Sequence, residues 1–136
     1  SSPIGGIMIV VGIDDSKVTQ EVLKLAAGHA KAFDTTILLV TSLKGGPDVP
    51  RQEFVQAEKV LTKAETFFQE EDISCEAHMS VRGLEPGEDI VKFAEEKKAE
   101  QIIIGVKRRS KVGKLLFGSN AQYVILNAPC PVLTVR

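Results

Sequence analysis

The stretch IIIGVKRRSKVGKLLFGSNAQ, residues 102–122, places five cations, Lys107, Arg108, Arg109, Lys111 and Lys114, between Gly105 and Gly118. Gly118 and Ser119 stand where a helix is predicted to begin, and Ser119 with Gln122 fits a Ser-x-x-Gln capping box. A helix start exposes backbone N–H groups that attract anions, and glycine lets a phosphate oxygen approach the chain closely. The chemistry these residues suggest is anion binding. An ordinary capped helix behind a solvated basic loop would use the same residue types. A helix terminus contributes only about 0.3–1 kcal/mol per nearby charge, whereas micromolar affinity requires about 8 kcal/mol. A phosphate-bearing ligand would therefore also need an apolar slot.

The two named phosphate loops do not account for this segment. Gly113-Lys114 is followed by Leu115, and Arg108 stands five residues before Gly113, so the Walker A pattern fails at two positions. The turn after the first apolar run reads GIDDSK and has no GxGxxG. An apolar slot is nonetheless available where the first two strands are predicted to end side by side. Backbone groups around Ile13 and Val40 could pair with the edge of a base, and their side chains could pack on its face. Asp14 could accept hydrogen bonds from a ribose hydroxyl, or cap the first helix instead. It is the one carboxylate the sequence places at the crevice, and His29 and His78 fall in elements directed elsewhere, so no general base is in view. These residues favour a binding protein, with at most slow hydrolysis.

The elements that must position these groups read as strand and helix in alternation. IMIVVGI, residues 7–13, is a continuous apolar run, as expected of a strand covered on both faces of a parallel sheet. Val18, Val22, Leu25, Ala26 and Phe33 follow at helical spacing, with Asp15 or Ser16 placed to cap the first turn. TILLVT, residues 36–41, is a second buried strand, and KGGPDVP, 44–50, is a loop. Phe54, Ala57, Leu61, Ala64 and Phe68 give a helix over about 51–71 one apolar face. The alternating ISCEAHMSV, 73–81, suits an edge strand. Pro86 and Gly87 are expected to delay the next helix until about Glu88, and Ile90, Phe93 and Ala94 form its stripe. QIIIGV is the fourth strand, a helix spans about 119–127, and PVLTVR is the last strand. No internal repeat is visible.

This order predicts a single α/β domain over residues 1–136: an open, Rossmann-like, five-stranded parallel sheet of order 3-2-1-4-5 with helices on both faces. Ligands of such sheets sit beyond the carboxyl ends of the strands where the order reverses, here between the strands ending near Asp14 and Gly105.

Composition narrows the function classes. Of 136 residues 43% are apolar and 26% charged, as in globular domains, and a net charge of −1 excludes a whole-surface polyanion binder. The KRRSK cluster is short and has no interleaved aromatics, which argues against nucleic-acid binding. No apolar run is long enough to cross a membrane, and SSPIGG lacks the order of a secretory signal, so a cytoplasmic location is expected. Cys75 and Cys130 have neither CxxC spacing nor nearby histidines and are read as buried thiols.

The residues just described resemble the universal stress protein domain. Nucleotide-binding members of that family carry, after the fourth strand, Gly, two residues, Gly, nine residues, then Gly-Ser or Gly-Thr. Gly105 and Gly118-Ser119 match at the correct spacing, and IVVGIDDS, GEDIVKFAEEKKAEQIIIG and APCPVLTVR extend the resemblance along essentially the whole chain. It implies that Asp14, Val40, Gly105, Gly118 and Ser119 contact an adenine nucleotide, with Ile13 and Asn120 beside them. ATP or another adenine nucleotide is the implied ligand, with Mg as its candidate companion, and the implied role is a stress-response or regulatory one exercised through unidentified protein partners.

The middle glycine of the pattern is Arg108 here. Its guanidinium could fill the phosphate site, leaving a nucleotide-free dimeric interaction module, or could hydrogen-bond phosphate at about 1.5–3 kcal/mol. Pro129 and Pro131 bracket the start of the last strand, a position suited to a sheet edge. Val132, Leu133 and Val135 then form an apolar edge that pairing with a second copy would cover. Relatives are often dimers through this strand, so a homodimer is expected.

Overall fold

The computed structural model describes residues 7–43, 48–106 and 118–136, together with the backbone of 108–109 and 115–116. The elements in chain order are β1 (Met8–Gly12), α1 (Thr19–Phe33), β2 (Thr36–Ser42), α2 (Arg51–Glu70), β3 (Cys75–Ser80), α3 (Pro86–Lys97), β4 (Gln101–Gly105), β5 (Arg108–Arg109), β6 (Leu115–Leu116), α4 (Ser119–Asn127) and β7 (Val132–Val135). The main sheet has five strands in the order β3-β2-β1-β4-β7, with every neighbouring pair parallel. This is the predicted order, with the reversal between β1 and β4. Inside the loop after β4, β5 and β6 pair antiparallel, a short ribbon the sequence reading did not anticipate.

Continuous apolar strands are explained by the two cores. In β1, Ile9 and Val11 face one layer while Val10 faces the other, and in β2, Ile37 and Leu39 alternate with Leu38 and Val40. One layer is closed by α1 and α2 through Val22, Ala26, Leu61, Ala64 and the fully buried Phe68. The opposite layer is closed by α3 and α4 through Ile90, Val91, Ala94 and Val124. Because a strand's side chains alternate between faces, only an all-apolar sequence can fill both layers at once. β3, at the sheet edge, shows correspondingly mixed burial.

Several local expectations are corrected. Phe33 is 63% exposed, because the buried stripe of α1 is Val22, Leu23, Ala26, Ala27 and Ala30, and the chain leaves the helix through left-handed Asp34 one residue later. Neither Asp15 nor Ser16 caps α1, whose N-cap is Val18 without a side-chain hydrogen bond. α3 begins at Pro86 rather than Glu88, since proline is suited to a first helical position where its missing N–H would have no intrahelical partner. A reciprocal capping box forms there instead, with the Glu85 amide donating to Glu88 Oε1 at 3.1 Å. Both cysteines are free and half-buried rather than buried, Cys75 on the edge strand and Cys130 in the turn before β7. Among the described residues, no helix is long and apolar enough to cross a membrane.

Candidate functional site

The carboxyl ends of β1, β2 and β4 open into a cavity of about 470 Å³ at the reversal of strand order. That volume lies within the range typical of small-molecule sites. Ile13, Asp14, Val40, Gly105, Gly118, Ser119 and Asn120, seven of the eight residues singled out from sequence, all line it. The side chain of the eighth, Arg108, and the neighbouring cations Lys107, Arg109, Lys111 and Lys114 lie outside the described residues. His29 and His78 are absent from the lining, as expected.

At the β1 end, the Ile13 amide donates to the Val40 carbonyl at 3.0 Å. This continues the parallel ladder by one rung, so the amide proposed for a base edge already has a partner, and what the two residues offer the cavity is apolar surface. Asp14 organises the turn that follows: its Oδ1 accepts from the Ser16 amide at 2.9 Å and from the Thr19 hydroxyl at 3.2 Å, while its main-chain oxygen accepts from the same hydroxyl at 2.8 Å. The turn places Asp14 on the cavity wall and delays α1 until Thr19.

The two glycines of the loop pattern serve different physical ends. A Cβ on Gly105 would stand 2.4 Å from Val18 Cγ1 and 3.3 Å from Val22 Cγ2, so its missing side chain lets the start of α1 press against the end of β4. Among the described residues, a Cβ on Gly118 would meet nothing within 4 Å. Gly118 has φ −66° and ψ 165°, accessible to any residue, so neither packing against the described residues nor backbone strain demands glycine there. Gly118 is one of the residues lining the cavity.

Gly118, not Ser119, is the N-cap of α4, with its carbonyl accepting from the Gln122 amide at 3.0 Å. The expected Ser119–Gln122 capping box is therefore absent: Ser119 is one residue too far into the helix to reach back as a cap. Gly118, having no side chain, leaves these first-turn amides without a cap from the N-cap residue. Asn120 has a structural task, accepting from the Gly87 amide at 2.8 Å and thereby tying the start of α4 to the start of α3. A Cβ on Gly87 would lie 2.7 Å from the Asn120 carbonyl, so this approach requires glycine. The N-terminal turns of α1, α3 and α4 all border the cavity, and each contributes the positive end of a helix dipole.

Sequence reasoning missed the remaining wall. Val22, Ile90, Ile104 and Val124 supply apolar surface from both layers, and Thr19, Thr41 and Ser42 add hydroxyls. Behind Ser42 lies Asp89, which is completely buried. Its Oδ2 accepts from the Ser42 hydroxyl and its Oδ1 from Arg82 Nε at 2.5 Å. The signal available in sequence was an aspartate inside the apolar stripe of α3, next to Ile90.

A family model described as the universal stress protein family matches residues 8–136. The chain belongs to the universal stress protein family. A universal stress protein of Methanocaldococcus jannaschii is 32% identical, over 94% of this chain and 81% of its own length. A solved universal stress protein structure from Archaeoglobus fulgidus is 39% identical with a TM-score of 0.88, covering 96% of this chain and 98% of that one. A second from the same organism, described as a complex with dAMP, is 35% identical with a TM-score of 0.83 over the same shares of the two chains. The α/β fold and strand order are thus those of universal stress proteins.

Proposed function

We propose that this universal stress protein binds an adenine nucleotide in the cavity at the carboxyl ends of β1, β2 and β4, and acts as a cytoplasmic regulatory protein through a nucleotide-dependent surface. The observation that carries this reading is that Gly118, where a Cβ would meet no described atom within 4 Å, lines the same apolar-walled cavity as Asp14 and the first turn of α4. In this reading Ile13 and Val40 flank the base, Asp14 meets the ribose, and Gly118 with Ser119 meets the phosphates. Support comes from the A. fulgidus relative solved with dAMP, at 35% identity. Among the described residues no group of three His, Cys, Asp or Glu side chains could hold a metal. Mg would instead be held chiefly by nucleotide phosphates, with Asp14 as the nearby carboxylate, as is usual for that ion.

The free edge of β7 is the proposed contact with a second copy through Val132, Leu133 and Val135. β7 pairs with β4 alone, so its outer backbone groups are unpaired with any described strand. Titration calorimetry of the wild-type protein with AMP and with ATP tests the ligand. Saturable heat at one site per chain is expected, and no heat from a folded sample would refute the nucleotide reading.

A further inference from the structure

We infer that Ser42 is a fixed hydrogen-bond acceptor in the cavity, selecting a base that presents an amino group over one that presents an oxo group, with Asp89 as its positioning residue. This rests on the nucleotide reading above and adds a determinant of base identity. A serine hydroxyl has one proton and two lone pairs and ordinarily rotates to suit its neighbour, so it does not discriminate between donors and acceptors. Ser42 is not in that position. Its proton goes to Asp89 Oδ2, and a carboxylate can only accept.

The Asp89 carboxylate is itself held. It is completely buried at the start of α3, and Arg82 Nε donates to Oδ1 at 2.5 Å. Arg82 is fixed in turn, with its guanidinium 4.4 Å from the Phe93 ring centroid and Nη1 3.5 Å from Glu96 Oε1. Ser80, the register partner of Ser42 on β3, is buried, and its hydroxyl has no hydrogen-bond partner among the described residues. Ser80 therefore does not compete for the Ser42 proton. A buried carboxylate of this kind requires partners on its remaining lone pairs, and Ser42 supplies one.

With its proton committed to Asp89, the Ser42 oxygen offers the cavity only lone pairs. Ser42 ends β2, two residues beyond Val40 and within the same cavity wall, at the base end of the proposed site. A 6-aminopurine can donate to that oxygen. A 6-oxopurine would place a second acceptor against it, setting two oxygen lone pairs face to face with no proton between them, and this mismatch is the kind that gives strong discrimination.

The test compares AMP with inosine monophosphate, which differs by a 6-oxo group and the accompanying N1 proton. Both are titrated calorimetrically into the wild-type protein, Ser42→Ala and Asp89→Asn. The expected result is at least about tenfold tighter AMP binding in the wild type, equivalent to about 1.4 kcal/mol, shrinking to within about threefold in Ser42→Ala. In Asp89→Asn the side-chain amide can donate to Ser42, freeing the hydroxyl to turn toward an oxo group, so the preference for AMP should fall there as well. Equal affinity for the two nucleotides in the wild type, or undiminished preference in a folded Ser42→Ala, would overturn the inference while leaving nucleotide binding intact. Binding of neither nucleotide to wild type would defeat both.

Discussion

Replacing Gly118 with valine separates a binding role from a packing role at one position. A Cβ there meets no described atom within 4 Å, and the backbone at φ −66°, ψ 165° suits valine. The fold should lose only the difference between glycine and an aliphatic residue as N-cap, about 1 kcal/mol, a fall in Tm of about 4 °C for a chain of this size. The isopropyl group would instead occupy the space through which a phosphate would reach the α4 amides. Loss of one charge-assisted hydrogen bond costs about 1.5–3 kcal/mol, so Kd for AMP or ATP should rise roughly 10- to 150-fold. Gly105→Val provides the contrast: its Cβ would stand 2.4 Å from Val18 Cγ1, and overpacking of that kind costs about 1–3 kcal/mol of stability. Calorimetric titration paired with thermal unfolding of both variants reads the two effects independently. Wild-type affinity in a folded Gly118→Val would refute the placement of phosphate at this helix start, and gross unfolding of the variant would refute the packing argument.

Arg108→Gly restores the glycine of the family pattern and is expected to weaken ATP binding about tenfold or more through loss of a guanidinium–phosphate contact; tighter binding by calorimetry would favour the nucleotide-free module instead. Thr134→Pro tests the dimer. The Ile102 amide takes the Pro131 carbonyl and the Val106 amide takes the Val135 carbonyl, and parallel-ladder alternation then turns the Thr134 N–H to the open edge. The variant should stay folded and run as a monomer in light scattering where the wild type runs as a dimer; a monomeric wild type would defeat the proposal. Burial, followed by the charges of Glu65 and Glu76, pushes the Cys75 thiol up to about 12, and burial followed by Glu100 also raises Cys130. Both should therefore react with iodoacetamide at pH 8 more slowly in the native than in the denatured protein. Below the ordinary thiol pKa both states keep their protons, but between that value and about 12 the unfolded chain ionises first, so the contribution of Cys75 to stability is lost as pH rises through this window. Native reaction rates equal to denatured ones would contradict the assignment.

Much of the fold was legible because apolar period and run length report how many faces of an element are covered. The continuous β1, β2 and β4 runs demanded helices on both sides, and the alternating β3 demanded an edge. The candidate cavity followed from topology, since the strands ending at Asp14 and Gly105 flank the reversal. Local rules were weaker where two elements shared a position. Ser-x-x-Gln suggested a cap at Ser119, yet the helix starts one residue earlier in its own frame and Gly118 takes that role. Pro86 and Gly87 resembled a loop, although proline opens α3 and glycine admits Asn120.

By itself, then, the sequence determined the layered parallel sheet, its strand order, the family and the position of the candidate cavity, because each follows from patterns within single elements, from their order along the chain or from short motifs. Only the tertiary structure decided what individual side chains do there. The Gly87–Asn120 tie spans 33 residues and the Ser42–Asp89 bond spans 47. Periodicity records that a position is buried and is silent about which distant atom it is buried against. That is why the apolar stripe of α3 was silent about what Asp89 holds, and why two glycines of one motif differ, one pressed by a valine and the other with no described atom within 4 Å of a Cβ.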